Sequence, residues 1–168
     1  MGIEDQQQFS SKVWNDLYRK FEPGKPAGKS YPSETLVIFV SNLRKGRSVE
    51  AYFDDSGQEH SIKRDFAGNA LEMGFGTIAD LKMVREKGFQ CFGLEVSEEA
   101  VARGEMAISQ QGLDGIRLSH WQPYDIPFPD NFFSLVYGLG CIYYNLEIEN
   151  VIREIFRAMR PGGSFLFS

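Results

Sequence analysis

Two acids and two glycines carry the chemistry that this chain is equipped to do. Glu72 is followed by Met73-Gly74-Phe75-Gly76, and Glu95 closes the apolar run Cys91-Phe92-Gly93-Leu94. Glycine has no Cβ, so a ligand can lie directly against its backbone. A carboxylate at the next strand end can accept two hydrogen bonds from the hydroxyl pair of a ribose. A bare turn beside such an acid describes a pocket for a nucleoside cofactor.

Strands must end at both places for the two features to meet. The spacing predicts a strand over Ala67–Met73, then a helix from about Thr77 to Lys87, with Gly88 suited to its C′ position. A second strand covers Cys91–Leu94. Ser97 caps the next helix, Glu98 to Gln111, whose first turn holds Glu98 and Glu99 where the helix dipole favours negative charge. Gly112 ends it. Strands follow at Ile116–Ser119 and Phe133–Tyr137. Ile148, Val151, Ile152, Ile155, Phe156 and Met159 then mark a helix that Pro161-Gly162-Gly163 stops, before a last strand, Ser164–Phe167. Strands alternating with helices imply right-handed crossovers and a doubly wound parallel α/β sheet.

The first 66 residues read differently. Phe9, Val13, Leu17 and Phe21 recur every four residues, one stripe of an amphipathic helix. The polar run from Glu22 to Ser30 is a loop, and Ser33 caps a second helix whose Leu36, Val37, Val40 and Leu43 face the core. Around Asp54-Asp55-Ser56-Gly57 a hairpin insertion is expected. The organisation predicted is one domain: residues 1–66 supply helices and a polar insertion that pack on a core of residues 67–168.

With 168 residues the chain suits one domain, able to bury ~70% of its unfolded surface. Hydrophobic residues make up 42%, which disfavours disorder. A net charge of −5 argues against a broad nucleic-acid footprint. Cys91 and Cys141 are the only cysteines and match no metal spacing or disulfide framework, so they read as reduced thiols. The acidic N-terminus is no signal peptide, and no apolar run approaches the ~20 residues of a membrane span. A cytoplasmic location with no membrane partner is expected.

At this point the chain resembles the class I S-adenosylmethionine-dependent methyltransferases, over roughly residues 65–168. Glu72-Met73-Gly74-Phe75-Gly76 is similar to the family's acid-x-Gly-x-Gly motif. Glu95-Val96 resembles its second-strand acid and apolar neighbour. Asp125-Ile126-Pro127-Phe128 resembles the segment before the fourth strand, and Arg160-Pro161-Gly162-Gly163 the turn before the fifth. The resemblance implies a Rossmann-like sheet of order 3-2-1-4-5. It implies S-adenosylmethionine as cofactor, S-adenosylhomocysteine as product and a small-molecule methyl acceptor. It assigns cofactor contacts to Glu72, Gly74, Phe75, Gly76, Glu95, Val96, Gln122 and Gly138. In it the glycine turn passes beneath the methionine part, Glu95 grips the ribose, Val96 packs on the adenine and Gln122 meets the adenine amino group.

The departures matter. Ile78 stands where a third glycine is common, so its side chain must point away from the ligand or crowd it. Pro123 has no N–H to give the adenine ring, and Ser134 replaces an Asp. The antiparallel hairpin that usually completes the sheet is missing after residue 168, so a truncated chain with an open strand-five edge is expected, and self-association through that edge with it. Gly74→Val is expected to block the ligand while leaving the domain folded. No catalytic residue or metal ligand is assigned. His60 and His120 read as structural. Tyr143 and Tyr144 read first as helix-cap packing, and Trp14 and Tyr18 as helix packing with a lid as the second reading. Two rival functions remain: a non-catalytic binding module of the same fold, and a NAD-type dinucleotide-binding domain, since Gly74-x-Gly76-x-x-Ala79 also fits G-x-G-x-x-G/A. The run Gly24-Lys25-Pro26-Ala27-Gly28-Lys29-Ser30 falls one residue short of a phosphate-binding loop.

Overall fold

The sheet is built from five strands, all parallel. They are β3 (Gly68–Met73), β4 (Phe89–Glu95), β5 (Ile116–His120), β6 (Phe133–Gly138) and β7 (Met159–Phe167), in spatial order β5-β4-β3-β6-β7. That is the expected 3-2-1-4-5 order. A computed structural model describes residues 3–21, 30–44, 51–53, 56, 58–61, 68–121, 125–142 and 147–168. Between the strands run α3 (Ala79–Glu86), α4 (Glu98–Gln111) and α5 (Ile148–Ala158). Before them come α1 (Ile3–Arg19), α2 (Glu34–Arg44) and an antiparallel pair, β1 (Ala51–Phe53) with β2 (Glu59–Ser61), at the expected hairpin.

Both faces of the sheet are covered, as parallel strands require. Along β6, Leu135 and Tyr137 enter one core layer and Val136 the other, following the two-residue period of a strand. The first layer gathers Leu36, Val40 and Leu43 of α2 with Leu81 and Val84 of α3. The second gathers Val151, Ile155 and Ala158 of α5 under Leu71 and Leu94.

Local chemistry sets the helix ends. Ser97 Oγ accepts from Ala100 N–H at 3.2 Å, capping α4, and Gly112 ends it in the left-handed region at φ 61°. Two expectations are corrected. Pro161-Gly162-Gly163 does not lie between α5 and the last strand but inside β7, as a bulge. There the pairing with β6 passes from Phe133↔Met159 to Leu135↔Ser164. The stripe of α1 is also turned around: Val13, Leu17 and Phe21 are 46%, 39% and 36% exposed. The helix docks instead by Ser11, Asn15 and Tyr18, one i, i+4, i+7 row.

Candidate cofactor site

Pairing of β3 with β4 brings the glycine turn to the acid. Glu72 lies opposite Gly93 and Met73 opposite Leu94. The next residue, Gly74, donates its N–H to the Leu94 carbonyl at 2.7 Å. The chain then turns through Gly74 at φ 66° and Gly76 at φ 53°, both in the region open to glycine. Gly76 N–H donates to Glu95 Oε2 at 3.0 Å. Glu95 Oε1 accepts from Val96 N–H at 2.8 Å and Ser97 N–H at 3.3 Å. Burial pushes the Glu95 carboxyl above its ordinary range, against the opposing pull of the N–H bonds and of His120.

Beneath the turn, Glu72 is 3% exposed and accepts from the Tyr137 hydroxyl at 3.2 Å. Burial first, and Glu72 next, hold the Tyr137 phenol well above its usual range. β6 thus braces the acid that precedes the turn. Phe75 contributes only backbone to the turn's surface. Its ring enters the core, against the bare faces of Gly93 and Gly104. Ile78 packs beside Gly104 too, away from the turn.

The two glycines of the turn face side chains. A Cβ on Gly74 would stand 2.6 Å from Cys141 Cβ, and one on Gly76 2.7 Å from the Tyr18 hydroxyl. A Cβ on Gly138 would stand 2.8 Å from both Cys141 Sγ and the Phe167 ring. Gly74→Val therefore costs folding as well as ligand access, which corrects the expectation of an intact domain. The Cys141 thiol donates to the Met73 carbonyl at 3.0 Å, and burial, with Glu95 and Glu72, pushes it up to about 12. At neutral pH it is a hydrogen-bond donor rather than a nucleophile.

The Val96 side chain packs against the second core layer. Its carbonyl accepts from Ser11 Oγ at 2.9 Å and lies 3.1 Å from His120 Nε2. Gln122, Pro123, Tyr143 and Tyr144 lie outside the described residues, as does the run Gly24–Lys29. The segment after residue 124 is clamped to α5. Arg157 donates to the Ile126 and Phe128 carbonyls, both at 2.9 Å, and Glu154 accepts from Ile126 N–H at 3.2 Å. Among the described residues no cluster of three or more metal-ligating side chains occurs.

Sequence reasoning missed Cys141, Tyr137, Asn15 and Gly104. Gly104 alone left a signal: glycine inside a helix costs about 1 kcal/mol relative to alanine, so its presence implies a packing reason. Here the reason is Leu118, whose methyl would stand 2.4 Å from an added Cβ.

A family model described as a methyltransferase domain matches residues 71–167, more than half of the chain. The chain belongs to the methyltransferase domain family. The cofactor of such S-adenosylmethionine-dependent enzymes is the one the resemblance implied. Ajmaline N-methyltransferase of Rauvolfia serpentina is 29% identical over 162 residues, which cover 92% of this chain and 52% of the relative. Demethylmenaquinone methyltransferase of Geobacillus stearothermophilus is 34% identical over 88 residues, covering 52% of this chain and 37% of the relative. Geranyl diphosphate C-methyltransferase from Streptomyces coelicolor, solved with S-adenosyl-L-homocysteine, shares the fold at a TM-score of 0.64 and 14% identity, covering 96% of this domain and 63% of that chain. This methyltransferase domain thus spans about half or less of the length of these two curated relatives.

Proposed function

We propose that this domain binds S-adenosylmethionine between the Gly74–Gly76 turn and Glu95 and transfers its methyl group to a small-molecule acceptor. The observation that carries the reading is the junction itself: a glycine turn hydrogen-bonded to a buried carboxylate at the neighbouring strand end. The residues present fit the cofactor. The backbone of Gly74, Phe75 and Gly76 offers the cradle, Glu95 the ribose acceptor, and Val96 and Gly138 adjoin them; a contact from Gln122 rests on the resemblance alone. Glu72 supports the turn from beneath through Tyr137.

S-adenosylmethionine, when bound, supplies an electrophilic methyl group on a sulfonium. The chain's own part is to orient and to exclude water. A carboxylate offers about four acceptor positions, and backbone N–H groups occupy three at Glu95. Taking both ribose hydroxyls therefore requires one of those bonds to be exchanged. The bond from Gly76 is the one made across the turn. Alignment at near-attack distance, ~3 Å, then accounts for most of what a protein adds to an in-line displacement.

Relatives named for a sterol, demethylmenaquinone and ajmaline support a small organic acceptor. The net charge of −5 supports the absence of a nucleic-acid partner, and two cysteines outside any disulfide support a cytoplasmic setting. Among the described residues no helix is long and apolar enough to cross a membrane. The test is calorimetry with S-adenosylhomocysteine and with NAD. S-adenosylhomocysteine should bind, NAD should not, and Glu95→Ala should weaken binding by about 1.5–3 kcal/mol through loss of hydrogen bonds to a charged acceptor. Binding of NAD alone would overturn the assignment.

A further inference from the structure

α1 reaches the glycine turn with a buried hydroxyl that has no acceptor among the described residues. Tyr18 is 8% exposed, and its hydroxyl stands over the bare face of Gly76. No hydrogen-bond partner for that hydroxyl occurs among the described residues. A buried hydroxyl without a partner is costly, and native structures keep few of them. Burial, and next to it the charge of Glu95, hold the phenol above its ordinary range, so it stays protonated and available as a donor.

The placement is enforced from both sides. Ser11 Oγ donates to the Val96 carbonyl at 2.9 Å. Asn15 Oδ1 accepts from Ser97 Oγ at 2.7 Å and from Glu99 N–H at 3.2 Å. Arg103 of α4 donates to the Phe21 carbonyl at 2.7 Å, just past the end of α1. Every one of these bonds ties α1 to the strand end that carries Glu95 or to the helix that follows it. The row Ser11, Asn15, Tyr18 thus delivers the phenol to the turn.

We infer that Tyr18 is a cofactor-binding residue, its hydroxyl donating to the amino-acid carboxylate of S-adenosylmethionine. The inference rests on the cofactor reading of the turn and extends it to a helix outside the matched residues 71–167. The acceptor follows from chemistry. The ribose hydroxyls are committed as donors to Glu95, while the carboxylate is the ligand's one anionic acceptor and makes the stronger, charge-assisted bond. Tyr18 also closes the site on the side of α1, so its helix acts as a wall of the pocket.

Calorimetry on the full chain tests this, comparing S-adenosylhomocysteine with 5′-methylthioadenosine, which has the adenosine and the sulfur but no amino-acid carboxylate. Tyr18→Phe should weaken the first roughly ten- to a hundredfold and leave the second unchanged. The melting temperature of the ligand-free variant should hold or rise, because an unpaired buried hydroxyl has been removed. Unchanged binding of S-adenosylhomocysteine overturns the inference, and so does equal weakening of both ligands, which would mean an effect through Glu95 or packing. A wild-type chain that binds neither ligand overturns the cofactor reading and this inference together.

Discussion

Glu95 and Cys141 show how burial tunes single residues at this site. The carboxylate is held high by its surroundings yet keeps three backbone donors, while the thiol is held in its neutral form. The buried acids give a pH dependence with a definite sign. Cys91 and Cys141 are both pushed up to about 12 from an ordinary value of 9.0, and the Tyr18 and Tyr137 phenols are raised as well. A group whose native pKa lies above its unfolded one binds its proton more tightly when folded. Its stabilisation is complete below the unfolded pKa and is lost as pH rises through the native one. Urea unfolding should therefore show a free energy that declines steadily from about pH 9 toward about 12. A flat profile across that window would show that these groups are not buried as described.

α1 carries the main lesson at the scale of an element. Its four-residue apolar stripe points to a helix laid on the core by Val13 and Leu17, and the helix docks by polar residues instead. Ser11 and Asn15 meet backbone and side-chain partners at the β4–α4 junction, where a strand end and a helix start leave polar groups to be satisfied. Apolar side chains could not satisfy them, so the polar row wins the contact. Leu17→Lys should accordingly change stability by less than about 0.5 kcal/mol, the range of an ordinary surface substitution. A loss of several times that in thermal or urea unfolding would place Leu17 in the core and contradict the docking. α4 follows its pattern more closely, since Ser97 and Gly112 cap it as their positions predict.

For the whole molecule, the far side of the sheet presents aromatic surface to solvent. β7 pairs only with β6 among the described residues. Phe156 and Phe165, 55% and 45% exposed, stack edge to face at 5.6 Å beside it. Exposed aromatic surface of this kind favours contact with another apolar surface. If the self-association expected from the sequence occurs through this surface, sedimentation velocity should show a concentration-dependent dimer. Phe165→Lys, which puts a charge on the edge strand, should shift it toward monomer. A wild type that stays monomeric at its highest soluble concentration would remove edge pairing from consideration.

The fold and the meeting of the glycine turn with Glu95 were legible in the sequence because both are written in local terms. Strand and helix periods, the caps of α4 and the glycine turn at residues 74–76 depend on near neighbours, and right-handed crossovers then leave little choice of strand order. What only the tertiary structure decided are the contacts made across the chain. Cys141 over Gly74, Tyr137 under Glu72 and Tyr18 over Gly76 join residues far apart in sequence, through elements whose local patterns do not announce a partner. The facing of α1 belongs with them. A period of four identifies a helix and its two sides. Which side turns inward is settled by the unsatisfied polar groups of the surface it meets, and that surface exists only once the sheet has formed.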